Sequence, residues 1–270
     1  MKLSAPIHRL RSHAKDIKKN NNVPLADALD QVARKEGYAT WSLLISKRES
    51  LLPNNFSELL DFLNPGDLVL VGARPGVGKT LFSAGLLAHA IEADRPGYLF
   101  ELTEREEEMR PRLDAHLTDP GNTSRCYIDC SDDIDADYII ATVSARGGAS
   151  SGLERGTVVV DYLQMLDEKR SSPSLQTQIE TLKVFAKETG CIVVFISQVR
   201  RQVADRADQR PGLEDIRLPN PLDLDLFNKI IFLYRETPAG ENAEVLLVGK
   251  FDHNFQITLD RAPLRFVDRA

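Results

Sequence analysis

The spacing of apolar positions changes along the chain. In the first fifty residues they recur three or four apart, the period of an amphipathic helix. Ile7, Leu10, Ala14 and Ile17 mark one such helix. Asn20, Asn21 and Asn22 read as a loop. Leu25, Leu29, Val32 and Ala33 then share one face of a second helix, with Pro24 in its first turn and Gly37 as its stop. Thr40 can cap a third, short helix carrying Trp41, Leu44 and Ile45. The Ala33-to-Gly37 spacing also occurs in helix-turn-helix units, but a mostly apolar third helix favours a docking module over a DNA reader.

Pro53, Asn54 and Asn55 mark a linker. From Pro65 onward, short continuous apolar runs alternate with helical patterns. Strands are predicted at 67–72, 97–101, 126–129, 156–161 and 191–197, and helices near 79–92, 104–116, 134–146 and 173–189. That alternation reads as an α/β domain around a mainly parallel sheet. After Leu222 the helical patterns stop, and 228–234, 244–250 and 255–260 read as a C-terminal β meander. The expected division is a small helical module at 1–50, a linker and lead-in helix at 51–64, and the α/β domain at 65–270.

Composition narrows the picture. At 42% hydrophobic and 27% charged, the 270 residues have the usage of an ordinary globular chain, not of a collagen-like or disordered one. No run approaches the roughly 18 consecutive apolar residues of a membrane span. The basic start is followed by no apolar run, so it does not read as a secretory signal. Cys126, Cys130 and Cys191 are sparse and odd in number, which points to a reducing, cytoplasmic setting. The net charge of -6 hides an asymmetry, because the first fifty residues hold ten basic and five acidic side chains. A basic head on an acidic body suits an anionic partner or a protein partner for residues 1–50.

Candidate chemistry centres on Gly72-Ala73-Arg74-Pro75-Gly76-Val77-Gly78-Lys79-Thr80, which has the spacing of G-x-x-x-x-G-K-[ST] with Ala73 at its first position. It sits between a predicted strand and a helix opening with Leu81, as phosphate binding requires. Glycines let successive backbone N–H groups converge on phosphate oxygens, and the helix N-terminus adds partial positive charge. Lys79 would reach the terminal phosphates and Thr80 would ligate Mg²⁺. Asp161, closing the run TVVVD, would hold the same ion from a neighbouring strand. Hydrolysis needs a carboxylate for the attacking water; Glu101 at a strand end is the first candidate and Glu104 the second. Gln198, emerging from CIVVFISQ, can sense the γ-phosphate or that water.

GARPGVGKT, VVVDYLQML, the helix TLKVFAKETG and ISQVRRQVADRADQRP followed by IIFLYRE resemble the RecA-type motor domain of the replicative DNA helicase (DnaB) family over about residues 60–260. The resemblance implies a RecA-like fold, Mg-ATP hydrolysis, a homo-oligomeric ring or filament, and single-stranded DNA contacts from the loop after Gln198. Arg200, Arg201, Arg206 and Arg210 are the candidate contacts there. It also implies completion of the site by a neighbouring subunit through a Lys and an Arg on a late strand. Lys250 matches the first, but Asp252 stands at the second, leaving His253 or Arg235 as substitutes. The glutamate segment ELTE and residues 1–50 also depart from the family pattern. Two main readings stay open: a helicase-like ATPase on single-stranded DNA, or a slow or inactive RecA-like nucleotide switch that recruits a partner through its helical head.

Overall fold

A computed structural model describes residue 4 and residues 7–49, 52–101, 104–131, 134–147, 156–167, 172–218, 220–236, 240–249, 251–261 and 264–268. Lys250, implied above as a nucleotide contact, lies outside the described residues.

The chain opens with helices α1 (Ile7–Asn21), α2 (Leu25–Lys35) and α3 (Trp41–Glu49). Leu10, Ala14, Ala28, Val32, Ala33, Trp41 and Leu44 close a small core of their own. The first helix runs through Asn20 and Asn21, further than the asparagine run predicts, and the break falls at Asn22 with φ +51°. Asparagine is a weak helix former but adopts the left-handed conformation readily, so the last of the three takes the turn. Thr40 caps α3 by accepting from the Leu43 N–H at 3.2 Å.

A short helix α4 (Phe56–Phe62) leads into strand β1 (Leu68–Ala73). Asn55 caps α4 by accepting from the Glu58 N–H at 2.7 Å. There follow α5 (Lys79–Glu92), β2 (Gly97–Glu101), α6 (Glu106–Asp114), β3 (Cys126–Asp129) and α7 (Ala136–Gly147). The chain continues with β4 (Thr157–Asp161), α8 (Leu175–Thr189), β5 (Ile192–Gln198), β6 (Lys229–Tyr234), β7 (Asn242–Val248), β8 (His253–Arg261) and β9 (Leu264–Asp268). They form one nine-stranded sheet in the order β3-β2-β4-β5-β1-β6-β7-β8-β9. Pairing is parallel from β3 to β6 and antiparallel from β6 to β9. The meander therefore has a strand beyond those read from the sequence, Leu264–Asp268, and its second strand begins two residues earlier than expected.

The central strands are apolar on both faces because both faces are covered. Val69, Val71 and Ala73 of β1 pack with α4, α5 and Phe266 of β9, while Leu68 and Leu70 pack on the other side with α7 and α8. Helix α8 is bounded as its sequence dictates: Ser174 accepts from the Thr177 N–H at 3.2 Å, and Gly190 ends it with φ +73°.

A buried ion pair ties the beginning of β6 to the turn before β1. Lys229 donates to Asp67, and its Nζ lies 4.8 Å from the Phe62 ring centroid. Burial pulls the Lys229 pKa down while Asp67 opposes the shift. Lys229→Met is therefore expected to lower the unfolding free energy by about 3 kcal/mol, because it leaves the Asp67 carboxylate buried without its cation. Urea denaturation checks this, and adding Asp67→Leu to the same chain should recover most of the loss.

Candidate active site

The polar groups collect at the C-terminal edge of the parallel strands, where loops leave the sheet. Residues 74–78 form the loop between β1 and α5, and Lys79 is the first helical residue. Gly76 has φ +77° and Gly78 has φ +119°, conformations a side chain resists. Nothing lies within 4 Å of where a Cβ on Gly76 would sit, and Gly76 is exposed, so the space beside it is open. At Gly78 a Cβ would come 2.5 Å from the Phe266 ring, so β9 packs directly against the loop. Sequence reasoning passed over Phe266, since no spacing relation ties it to the loop.

The loop is fastened at its shoulder. Arg74 donates to the Arg235 carbonyl at 3.0 Å and holds its guanidinium 5.9 Å from the Tyr234 ring. Pro75 is exposed, whereas Val77 and Leu81 are buried and anchor the loop to the core. Lys79 Nζ lies 3.5 Å from the Arg74 carbonyl, inside the loop. Thr80 is half-buried beside it on the first turn of α5.

Opposite the loop stand two buried carboxylates. Glu101 and Asp161 are register partners on the parallel strands β2 and β4. Their carboxyls interact electrostatically. Burial and the negative charge of Glu101 push the Asp161 carboxyl up to about 7, with Lys79 pulling the other way and Glu104 adding to the rise. Burial in turn lowers the Lys79 pKa, partly offset by Asp161. Glu104 is turned away: its carboxylate pairs with Arg112, while its N–H donates to Glu101 Oε1 at 3.2 Å. Gln198 ends β5 beside Ala73 of β1, and its Oε1 accepts from Arg217 Nη1 at 3.4 Å.

These residues suit a phosphate chain and a divalent cation. The loop offers open glycine backbone at a helix N-terminus, and Asp161 is a carboxyl whose ionised form a metal ion would favour. A model of the DnaB-like helicase C terminal domain matches residues 115–261, more than half of the chain. The chain belongs to this family. The match begins after the glycine loop, so the loop's role rests on its own sequence and geometry.

The replicative DNA helicase DnaB of Haemophilus influenzae is 30% identical over 222 residues, covering 70% of this chain and 47% of that protein. The Pasteurella multocida helicase of the same name is 29% identical over 224 residues, with the same coverage. This chain thus spans about half the length of the curated relatives it matches. Among solved structures, one isolated ATPase domain superposes with a TM-score of 0.64 at 24% identity, covering 84% of this chain and 96% of that one. A DnaB-like replicative helicase solved with its interactions with primase gives 0.67 at 21% identity, covering 98% of this chain and 77% of that one. The fold is RecA-like, with a mostly parallel sheet closed by antiparallel strands.

The remaining residues implied by the family resemblance are sorted by their partners. Arg206 pairs with Asp215 and, at 3.3 Å, with Glu214, and Arg210 pairs with Glu244 at 3.0 Å. Their charge is therefore offset within the protein. Arg200 and Arg201 are exposed. The turn between β7 and β8 places Asp252 on the surface with φ +57°. His253 Nε2 lies 2.8 Å from the Pro53 carbonyl, so that ring is fixed to the linker, and Arg235 is buried at the end of β6.

The raised Asp161 pKa has a measurable sign. A carboxyl that titrates higher in the folded protein than in the unfolded chain costs stability as pH rises between the two values. Without nucleotide or metal, the wild type should lose stability relative to Asp161→Asn between about pH 4 and about pH 7. Urea midpoints of the two proteins at several pH values check this, and Mg²⁺ with ATP should narrow the gap.

Proposed function

We propose that this chain binds Mg-ATP and hydrolyses it as a DNA-associated, helicase-like motor. The observation that carries the proposal is the convergence of Lys79, Glu101 and Asp161 at one sheet edge, with two carboxylates in register on adjacent strands. A buried pair of like charges is costly unless a cation is meant to join it.

Each residue then has a role. Backbone N–H groups of residues 76–79 and the Lys79 ammonium bind the phosphate oxygens. Thr80 and Asp161 would hold the magnesium ion, which neutralises charge on the β- and γ-phosphates. Glu101 orients the attacking water and takes its proton as the bond between the γ-phosphorus and the bridging oxygen breaks. Gln198 orients the same water or the γ-phosphate. Arg200 and Arg201, free of carboxylate partners among the described residues, are the candidate contacts of loop 199–222 to a single-stranded DNA backbone.

One observation favours a second reading, a slow nucleotide switch working through residues 1–50. The exposed Asp252 offers a neighbouring subunit's γ-phosphate a negative charge, and His253 is held by the linker instead. Light scattering with and without Mg-ATP, together with ATP turnover with and without single-stranded DNA, separates the two. The motor requires a homo-oligomer, a ring or filament, whose turnover rises with DNA. A monomer with slow turnover indifferent to DNA would leave the switch.

A further inference from the structure

The loop after β5 returns to the strand it left. Val199 bridges Ile216, the Arg200 N–H donates to the Asp215 carbonyl at 2.8 Å, and the Arg217 N–H donates to the Gln198 carbonyl at 2.9 Å. Gln164, three residues beyond Asp161, clamps this return. Its Nε2 donates to Ser197 Oγ at 3.0 Å and to the Arg217 carbonyl. The Arg217 backbone is thus held between the strand-end glutamine and the segment that follows Asp161. Its side chain is exposed, yet Nη1 donates to Gln198 Oε1 at 3.4 Å.

The arginines of this loop divide by partner. Arg206 and Arg210 are neutralised by Asp215, Glu214 and Glu244. Among the described residues no carboxylate pairs with Arg217. Arg217 lines a cavity of about 760 Å³ together with Pro75 of the glycine loop, Gln198, Arg200 and Arg201. Among the described residues no acidic side chain lines it.

We propose that Arg217 is a positioning residue for Gln198. A primary amide has one acceptor end and one donor end, and only the donor end can serve a phosphate oxygen. By binding Oε1, the guanidinium leaves Nε2 as the end of the Gln198 amide that can serve a phosphate oxygen. Because the Arg217 backbone also closes loop 199–218, a displacement of that loop moves the amide with it. This inference rests on the nucleotide-hydrolysis reading above.

The test uses the full chain carrying Arg217→Met, Arg217→Lys, Gln198→Ala, or Gln198→Ala with Arg217→Met. Arg217→Met should lower kcat about tenfold while the KM for ATP changes less than about twofold, the size of effect expected for losing one charge-assisted hydrogen bond. It should also weaken the preference for ATP over ADP in binding of a fluorescent nucleotide analogue, leaving ADP affinity unchanged. Arg217→Lys, which keeps one donor, should restore most of both. In the Gln198→Ala background Arg217→Met should change nothing further, because the partner it positions is gone. An unchanged kcat and ATP preference in Arg217→Met, or a loss that persists in the Gln198→Ala background, overturns the inference while the hydrolysis reading stands. A wild-type protein that binds neither nucleotide would instead sink both.

Discussion

Lys79→Ala is expected to lower ATP turnover by about 10³-fold or more, the scale seen when a preorganised charge is removed from a buried site. The lysine enters from the first turn of α5, with its ammonium 3.5 Å from the Arg74 carbonyl and within electrostatic reach of Asp161. Alanine is the best helix former, so the substitution should leave α5 and the apolar core beneath it intact. Two losses follow from removing the ammonium. The phosphate oxygens lose a cation, and the Glu101–Asp161 pair loses the charge that opposes its repulsion. Turnover by γ-phosphate release and fold by circular dichroism are the readouts. Wild-type turnover in a folded Lys79→Ala protein would contradict the site.

Glu101→Gln should act on hydrolysis and stability in opposite directions. Turnover is expected to fall by about 10²–10⁴-fold, the range for losing a positioned general base. ATP binding should persist, because the glutamine keeps the side chain's shape and removes no phosphate contact. Stability of the nucleotide-free protein should rise, since one of two buried like charges on β2 and β4 disappears. The pH-dependent loss tied to Asp161 should shrink for the same reason. Denaturation curves and single-turnover rates measured on one preparation check both. Unimpaired hydrolysis would pass the base role to Glu104, which would then have to leave Arg112.

Much of this was legible in the sequence for definite reasons. Gly97–Glu101 and Cys126–Asp129 fall where the apolar runs predict, because strands buried on both faces are continuous apolar segments with polar ends. Lys79 and Asp161 stand out because the glycine spacing and the strand-end carboxylate are local patterns. Less local features were hidden. Leu264–Asp268 alternates too briefly, with charge at two of its five positions, to be read as a strand without β8 beside it. The asparagine run gave a boundary two residues early, since a helix already fifteen residues long can carry weak formers in its last turn. The tie between Gln164 and Arg217 joins positions 53 apart and leaves no periodic trace. Likewise, the five arginines of loop 199–222 look alike in sequence, and only their folded partners separate Arg206 and Arg210 from Arg200, Arg201 and Arg217.

The central claim is that the glycine loop and the paired strand-end carboxylates form one magnesium-dependent ATP-hydrolysing site. The most direct test is γ-phosphate release from ATP by the purified full chain, with Mg²⁺ and then with the metal removed by EDTA, beside Lys79→Ala and Glu101→Gln. Steady release by the wild type that stops without Mg²⁺ and nearly vanishes in both variants is the expected result. ATP bound tightly but never hydrolysed under any of these conditions, or hydrolysis that both variants retain, would contradict it.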